Sequence, residues 1–202
     1  MQNTFAELFK TILTADKEAS RKAAREVRKK VYSADEGNKY EMIASIIAKA
    51  PEGYKDINED WRQENFAIAI SVMYFLGNKN NQPDFLFPWL FELMQHKNGN
   101  IRHAAIRIFE IELGPLTCHI RFPGKQSSSL DISTQQSDDI LFAFYVTTNN
   151  LMTKFWKPAY KRYKYISSLP TGVYKSFQLL LSRLEDLCGE EYLKQLRTKY
   201  GK

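Results

Sequence analysis

The chain has 202 residues, 44% of them apolar, with 29 Lys and Arg against 23 Asp and Glu and a formal net charge of +6. That composition excludes disorder throughout and suits one domain, or a domain with an appendage. Only 9 Gly and 7 Pro argue against an all-β fold, and two distant cysteines, Cys118 and Cys188, exclude a disulfide framework and a zinc pair.

The charge is uneven. From Leu151 onward there are 11 Lys and Arg against 4 Asp and Glu, a balance of +7, whereas residues 1–150 hold 18 against 19, a balance of −1. A basic C-terminal part raises the expectation of a polyanionic partner, although the same charge serves solubility. The first residues lack a basic stretch followed by an apolar core, and no window approaches 18 uninterrupted apolar residues. The expectation is a soluble, cytoplasmic protein with no membrane contact.

The first helix is expected to start at Asn3 or Thr4 as N-cap and to put Phe5, Leu8, Phe9, Ile12 and Leu13 on one side. Asp16 caps a second helix with Ala19, Ala23, Ala24, Val27 and Val31 as its buried stripe, and short buried residues imply close packing. A third helix spans Lys39 to Lys49, carries Tyr40, Ile43, Ile46 and Ile47, and is ended by Pro51. "EGYKDINED" then reads as a polar connection. With Asp60 as cap, "DWRQENFAIAISVMYFLG" is a helix stopped by Gly77 in the C′ role, apolar nearly all round from Phe66 to Leu76 and therefore central. Two more helices follow: about 84–96, which Pro88 either begins or kinks, and about 100–113, after a hinge at "KNGN".

"RKAAREV" (21–27) and "RHAAIRI" (102–108) share an Arg-basic-Ala-Ala-x-x-aliphatic pattern, and Phe66, Ala67 and Ile70 stand midway in the same phase. A period near 40 residues predicts stacked helical pairs. Here the sequence resembles the HEAT and armadillo class of α-solenoid repeats, whose units pack an apolar first helix against a second helix opening with a charged residue and small residues. "LFELMQHKNGNIRHAAIRIFEIEL" (90–113) matches best and "FAELFKTILTADKEASRKAAREVRKKV" (5–31) well, while the middle unit has Glu64 where Arg is expected. The resemblance covers residues 1–113 and implies an all-α, right-handed α-solenoid of HEAT-like helical pairs; about ten helices are counted along the chain. It specifies architecture and is nearly silent on activity.

Residues 114–137, with two Gly, two Pro and a serine-glutamine tract, read as a loop or linker in which "LTCHIRF" forms at most a brief extended segment. Residues 138–202 then form basic helical repeats or a cap. Ser137 or Asp138 caps "DILFAFYVTTNNLMTKFW"; a short helix "PAYKRYKYISS", a longer one through "TGVYKSFQLLLSRLEDLCG" with Gly189 as its stop, and "EEYLKQLRTKY" complete the chain.

The sequence holds no Walker-type phosphate loop, dinucleotide glycine motif, HExxH, nucleophile elbow or calcium loop. His96, His103 and His119 are too few and too poorly spaced for a metal, so neither metal nor cofactor is expected. Cys118-His119 reads as a half-buried cysteine beside a surface histidine, because adjacency in sequence does not supply the geometry of a nucleophile and its base. Trp61 among Glu52, Asp56, Glu59, Asp60 and Glu64 is similar to one feature of HEAT-like bacterial DNA glycosylases acting on alkylated purines, which are basic helical proteins using an aspartate and tryptophans. The likeness lies in fold class, charge and Trp61 with nearby acids, and no catalytic role transfers to a residue here.

Two basic runs remain. Lys17, Arg21, Arg25 and Arg28 fall at spacings of four, four and three and form one exposed stripe, broadened by Lys22, Lys29 and Lys30; Glu18 and Glu26 lie four residues before Lys22 and Lys30, the spacing of solvated ion pairs. In "KFWKPAYKRYKY" (154–165), a continuous helix puts Lys154, Lys157, Lys161 and Lys164 on one arc and Phe155, Trp156, Ala159, Tyr163 and Ile166 behind them. Only Tyr160, Arg162 and Tyr165 lie at the boundary, unless Pro158 starts a new helix and leaves Trp156 at an exposed corner. The leading expectation is a non-enzymatic module binding a protein or peptide on its second-row helices. The alternative is a nucleic-acid-binding HEAT-like protein, related to the alkylpurine glycosylases, with the two basic runs as its contact.

Overall fold

In a computed structural model of the chain, residues 4–33, 39–77, 82–125 and 127–200 are described. Among them every regular element is helical: α1 (Phe5–Thr14), α2 (Lys17–Val31), α3 (Lys39–Ala48), α4 (Ala50–Lys55), α5 (Asp60–Met73), α6 (Phe87–Met94), α7 (Gly99–Leu116), α8 (Cys118–Arg121), α9 (Thr134–Phe155), α10 (Val173–Cys188) and α11 (Glu190–Tyr200). Short 3-10 turns lie at Tyr74–Leu76, Pro158–Arg162 and Ile166–Ser168. Contacts divide the chain into two compact units, Met1–Asn78 with Asn100–Ile108, and Lys79–Gly99 with Phe109–Lys202.

In the first unit α2 packs between α1 and α5. Thr4 closes a capping box with Glu7 at the start of α1, and the Asp16 carboxylate accepts from the Ala19 N–H at the start of α2. The Asn3 alternative lies outside the described residues. Phe5, Leu8, Phe9 and Ile12 meet Ala23, Ala24, Val27 and Val31, and Phe9 sets its ring edge-on to Phe66 of α5 at 5.7 Å. Burying one such large side chain contributes about 1.5–3 kcal/mol. A solvated ion pair contributes roughly 0.3–0.5 kcal/mol, so packing and not surface charge fixes α2. Lys30, expected in the exposed stripe, is buried against the Phe5 ring, and Glu26 accordingly pairs with Lys29 at 2.7 Å.

Polar groups organise the ends of these helices. The buried Arg62 donates from Nη1 to the carbonyls of Ile12 and Ala15 (3.0 and 2.9 Å), which end α1, while Nε and Nη2 bind Glu59. Ser20 donates to the Ile12 carbonyl and accepts from Asn65. Buried Lys39 donates to the carbonyls of Val31 and Ser33 beyond the end of α2. Orphan carbonyls at a helix end require such donors.

Several local expectations change. Pro51 both ends α3 and opens α4, which occupies part of the expected polar connection, because a proline is tolerated in a first helical turn. Glu59 rather than Asp60 stands at the N-cap of α5, and its side chain is drawn to Arg62. Gly77 follows a 3-10 turn in extended conformation (φ −71°) instead of the left-handed C′ geometry. A Cβ there would lie 2.9 Å from Ile47 Cδ1 and 3.3 Å from the Tyr74 carbonyl oxygen, so a larger residue requires the Ile47 side chain to shift. Arg21 is exposed while Arg102, at the matching position of the other segment, is buried.

The second unit is built on an aromatic cluster. Phe87, Phe91, Phe109 and Phe144 lie with ring centroids 4.9–5.6 Å apart. Phe177, Leu180, Leu181 and Leu184 of α10 extend the core, and α10 packs against α6, α8, α9 and α11. Pro88 sits in the first turn of α6, where its missing N–H is harmless. Gly189 ends α10 with φ +78°, a conformation glycine adopts without strain.

"LTCHIRF" is helical, not extended. α7 runs on to Leu116, and Arg121 folds back to donate to the Gly114 carbonyl and the Thr117 hydroxyl, holding α8 in line. α9 begins earlier than expected: Ser133 and Gln136 form its capping box, which leaves Asp138 inside the helix with its carboxylate available for other partners.

Candidate nucleic-acid interface

The segment 154–165 does not continue α9. Proline disfavours helical backbone at the residue before it, and its ring would collide with the carbonyl four residues back. Lys157 is accordingly extended (φ −128°, ψ 142°), Trp156 caps α9, and a 3-10 turn starts at Pro158. The phase expected for a continuous helix is therefore lost: Trp156 and Ala159 are exposed instead of buried, and Phe155, Tyr163 and Ile166 are half-buried.

Within the second unit this segment is held from beneath. Phe155 stacks on Phe177 at 6.2 Å, Tyr160 stacks on Tyr174 at 4.7 Å, and Lys175 donates to the carbonyls of Ser167 and Leu169 at 3.0 Å each. Tyr160, expected at the boundary, is thus a foundation rather than a free ring. Trp156 is 40% exposed and Tyr165 62% exposed. Lys161 Nζ lies 5.7 Å from the Trp156 ring centroid and Lys164 Nζ 5.4 Å from that of Tyr165. Arg162 lies over the Tyr163 ring and donates to its hydroxyl at 2.7 Å. Lys154 lies 5.3 Å from the Phe155 ring and donates to the Gln95 side-chain oxygen.

Lys154, Lys157, Lys161, Arg162 and Lys164 are all exposed, and no carboxylate among the described residues pairs with any of them. An exposed cation–π contact is worth about 0.5–1 kcal/mol. A base stacked on an aromatic side chain is worth about 1–3 kcal/mol, so a base can displace a lysine from the ring and leave it for a phosphate.

The α2 run is arranged differently. Arg21, Lys22, Arg25, Arg28 and Lys29 are exposed as expected, opposite the face packed on α1 and α5. Lys29 is engaged by Glu26, whereas among the described residues Arg21, Lys22, Arg25 and Arg28 meet no carboxylate; the exposed ring beside them, Tyr32 at the C-cap of α2, is stacked on Phe75 at 6.2 Å. Charge whose neighbouring ring is already stacked within the protein attracts acidic groups more readily than it holds a base.

Sequence reasoning missed a polar cluster in the second unit. His119 Nε2 approaches Asp138 Oδ1 at 2.9 Å and the Tyr192 hydroxyl at 3.2 Å; that hydroxyl donates to the same Asp138 oxygen, and Lys199 reaches Asp138 Oδ2 at 3.3 Å and Gln135 Oε1 at 2.8 Å. Burial pushes the Asp138 carboxyl up, but donation from Tyr192, His119 and Lys199 outweighs it and holds the group below the usual carboxylate range. His119 is therefore a largely buried partner of α9 and α11, not a surface residue. Every donor converges on one carboxylate, an arrangement that fastens α8, α9 and α11. Cys188 is buried, and burial pushes its thiol up to about 12, far from the range of a nucleophile.

Trp61 is half-buried beneath the Arg62 guanidinium at 4.4 Å, and Glu59 binds that same guanidinium. An open recess of about 310 Å³ is lined by Leu130, Asp131, Ile132, Ser133 and Gln136, but Ser133 and Gln136 already serve the backbone donors there. Among the described residues no three His, Cys, Asp or Glu side chains are placed to hold a metal, and no helix is long and apolar enough to cross a membrane. Comparison with protein-family models, with curated proteins and with solved structures finds no match.

Proposed function

We propose that this chain is a non-enzymatic helical module that binds nucleic acid through residues 154–165. The observation that carries this function is the exposure of Trp156 and Tyr165 among five cations that meet no carboxylate among the described residues. Nucleic-acid binders without base readout combine a cationic track with aromatic stacking surfaces, and both stand together here. As architecture we propose a right-handed α-solenoid of HEAT-like pairs; its support is the α1–α2 pair, with Ala23 and Ala24 at the close contact, and the recurrence of that pattern near Ala104 and Ala105. A mobility shift with mixed-sequence oligonucleotides at about 50 and about 300 mM NaCl tests binding, with complexes expected at the lower salt and weakened by at least tenfold at the higher. No shift at low salt removes nucleic acid as the partner.

A protein or peptide partner is favoured by a separate feature, the α2 row. Arg21, Arg25 and Arg28 are exposed and meet no acid among the described residues, and Glu18 and Glu26 interrupt the positive field that a phosphate backbone prefers. An acidic protein surface of mixed sign suits this row better. The triple substitution Arg21→Glu, Arg25→Glu and Arg28→Glu is then expected to weaken binding of poly-L-glutamate, with the cations of 154–165 as its remaining contact, while leaving oligonucleotide binding in place. A wild-type chain that ignores poly-L-glutamate at low salt loses this partner class.

A further inference from the structure

We infer that the surface at 154–165 takes single-stranded nucleic acid, with bases stacked on Trp156 and Tyr165 and phosphates on the surrounding lysines, an inference that rests on the nucleic-acid function proposed above. Four aromatic side chains from 156 to 165 are candidates for stacking, and the geometry separates them. Tyr160 is face to face with Tyr174, and the Tyr163 hydroxyl is held by Arg162. Trp156 and Tyr165 remain, each exposed and each approached by a lysine ammonium. An ammonium over a ring marks a place where a positive group already stands beside an aromatic surface, so a nucleotide finds its two requirements, a stack and a counter-charge, at one point.

Duplex nucleic acid does not use such rings. Its bases are stacked on one another and offer the protein phosphates and groove edges, so a duplex engages Lys154, Lys157, Lys161, Arg162 and Lys164 but leaves both rings idle. A single strand offers free base faces. The platform is also fixed before binding, since Phe155, Tyr160 and Lys175 tie it to Phe177, Tyr174 and the carbonyls of Ser167 and Leu169. Fewer side chains then need ordering when a strand arrives.

The test is fluorescence anisotropy with the full chain, using labelled oligothymidylate, oligouridylate and a duplex of about 20 units each, at about 50 mM NaCl. Single strands are expected to bind at least about tenfold tighter than the duplex. Trp156→Ala and Tyr165→Ala are each expected to weaken single-strand binding by roughly five- to hundredfold and to leave duplex binding unchanged, while Trp156→Phe retains most of the affinity. The Tyr165→Ala arm keeps the test decisive even if the Trp156 variant folds poorly, because Tyr165 is mostly in solvent. A preference between oligothymidylate and oligouridylate reports the sugar and the base 5-methyl group together, and either supports the inference. Duplex bound as tightly as single strand, alanine variants that bind like wild type, or displacement of the strand by poly-L-glutamate as readily as by unlabelled oligothymidylate overturns it. In the first two cases nucleic-acid binding itself survives; absence of any oligonucleotide binding removes both together.

Discussion

The Arg62 guanidinium donates to the two carbonyls that end α1 and to the Glu59 carboxylate, so its loss takes the donor from the part-buried Ala15 carbonyl, while the Ile12 carbonyl still accepts from Ser20. One acceptor left unpaired costs about 1–3 kcal/mol, and Arg62→Ala is expected to lower stability by about that much in urea unfolding. Arg62→Lys should recover only part of this, because one ammonium cannot span both carbonyls and Glu59. A variant within about 0.5 kcal/mol of wild type would show that α1 ends without this donor. The pairing of Arg62 with Glu59 is local, but its carbonyl acceptors lie 47 and 50 residues away and leave no local mark, whereas the Asp16 cap was legible because its partner Ala19 is three residues on.

At the scale of elements, some signals confined to one turn were legible, as the caps of α1 and α2 and the stop at Gly189 illustrate, whereas the Ser133–Gln136 capping box of α9 was hidden in a serine-glutamine tract that reads as loop. Pro158 carried a legible break, with an exposed Trp156 as one of two outcomes, and which outcome holds depends on how Phe155 and Tyr160 dock on α10. The Asp138 cluster was illegible, because His119, Tyr192 and Lys199 lie 19, 54 and 61 residues from it. That cluster predicts a pH dependence of definite sign. With a folded-state pKa below the ordinary 3.8, Asp138 stabilises the fold above that value, and the contribution is lost as the pH falls through the lowered pKa. Asp138→Asn is expected to destabilise the chain by about 1–2 kcal/mol at pH 7. Unfolding measured against pH should show the gap constant above 3.8 and closing below it; a gap that widens as acid is added would refute the role assigned to this carboxylate.

At the scale of the whole molecule, the excess of positive charge from Leu151 onward is gathered partly in the only stretch that also exposes Trp156 and Tyr165, so charge and stacking surface coincide in sequence as well as in space. The most direct measurement of that coincidence is the dependence of oligothymidylate affinity on salt between about 50 and 300 mM NaCl. With four or five phosphates neutralised, log affinity against log salt should have a slope of about −3, and the combined substitution Lys157→Ala, Lys161→Ala and Lys164→Ala should bring it to about −1. A slope near zero, or a slope that this substitution leaves unchanged, would contradict the assignment of residues 154–165 as the nucleic-acid contact.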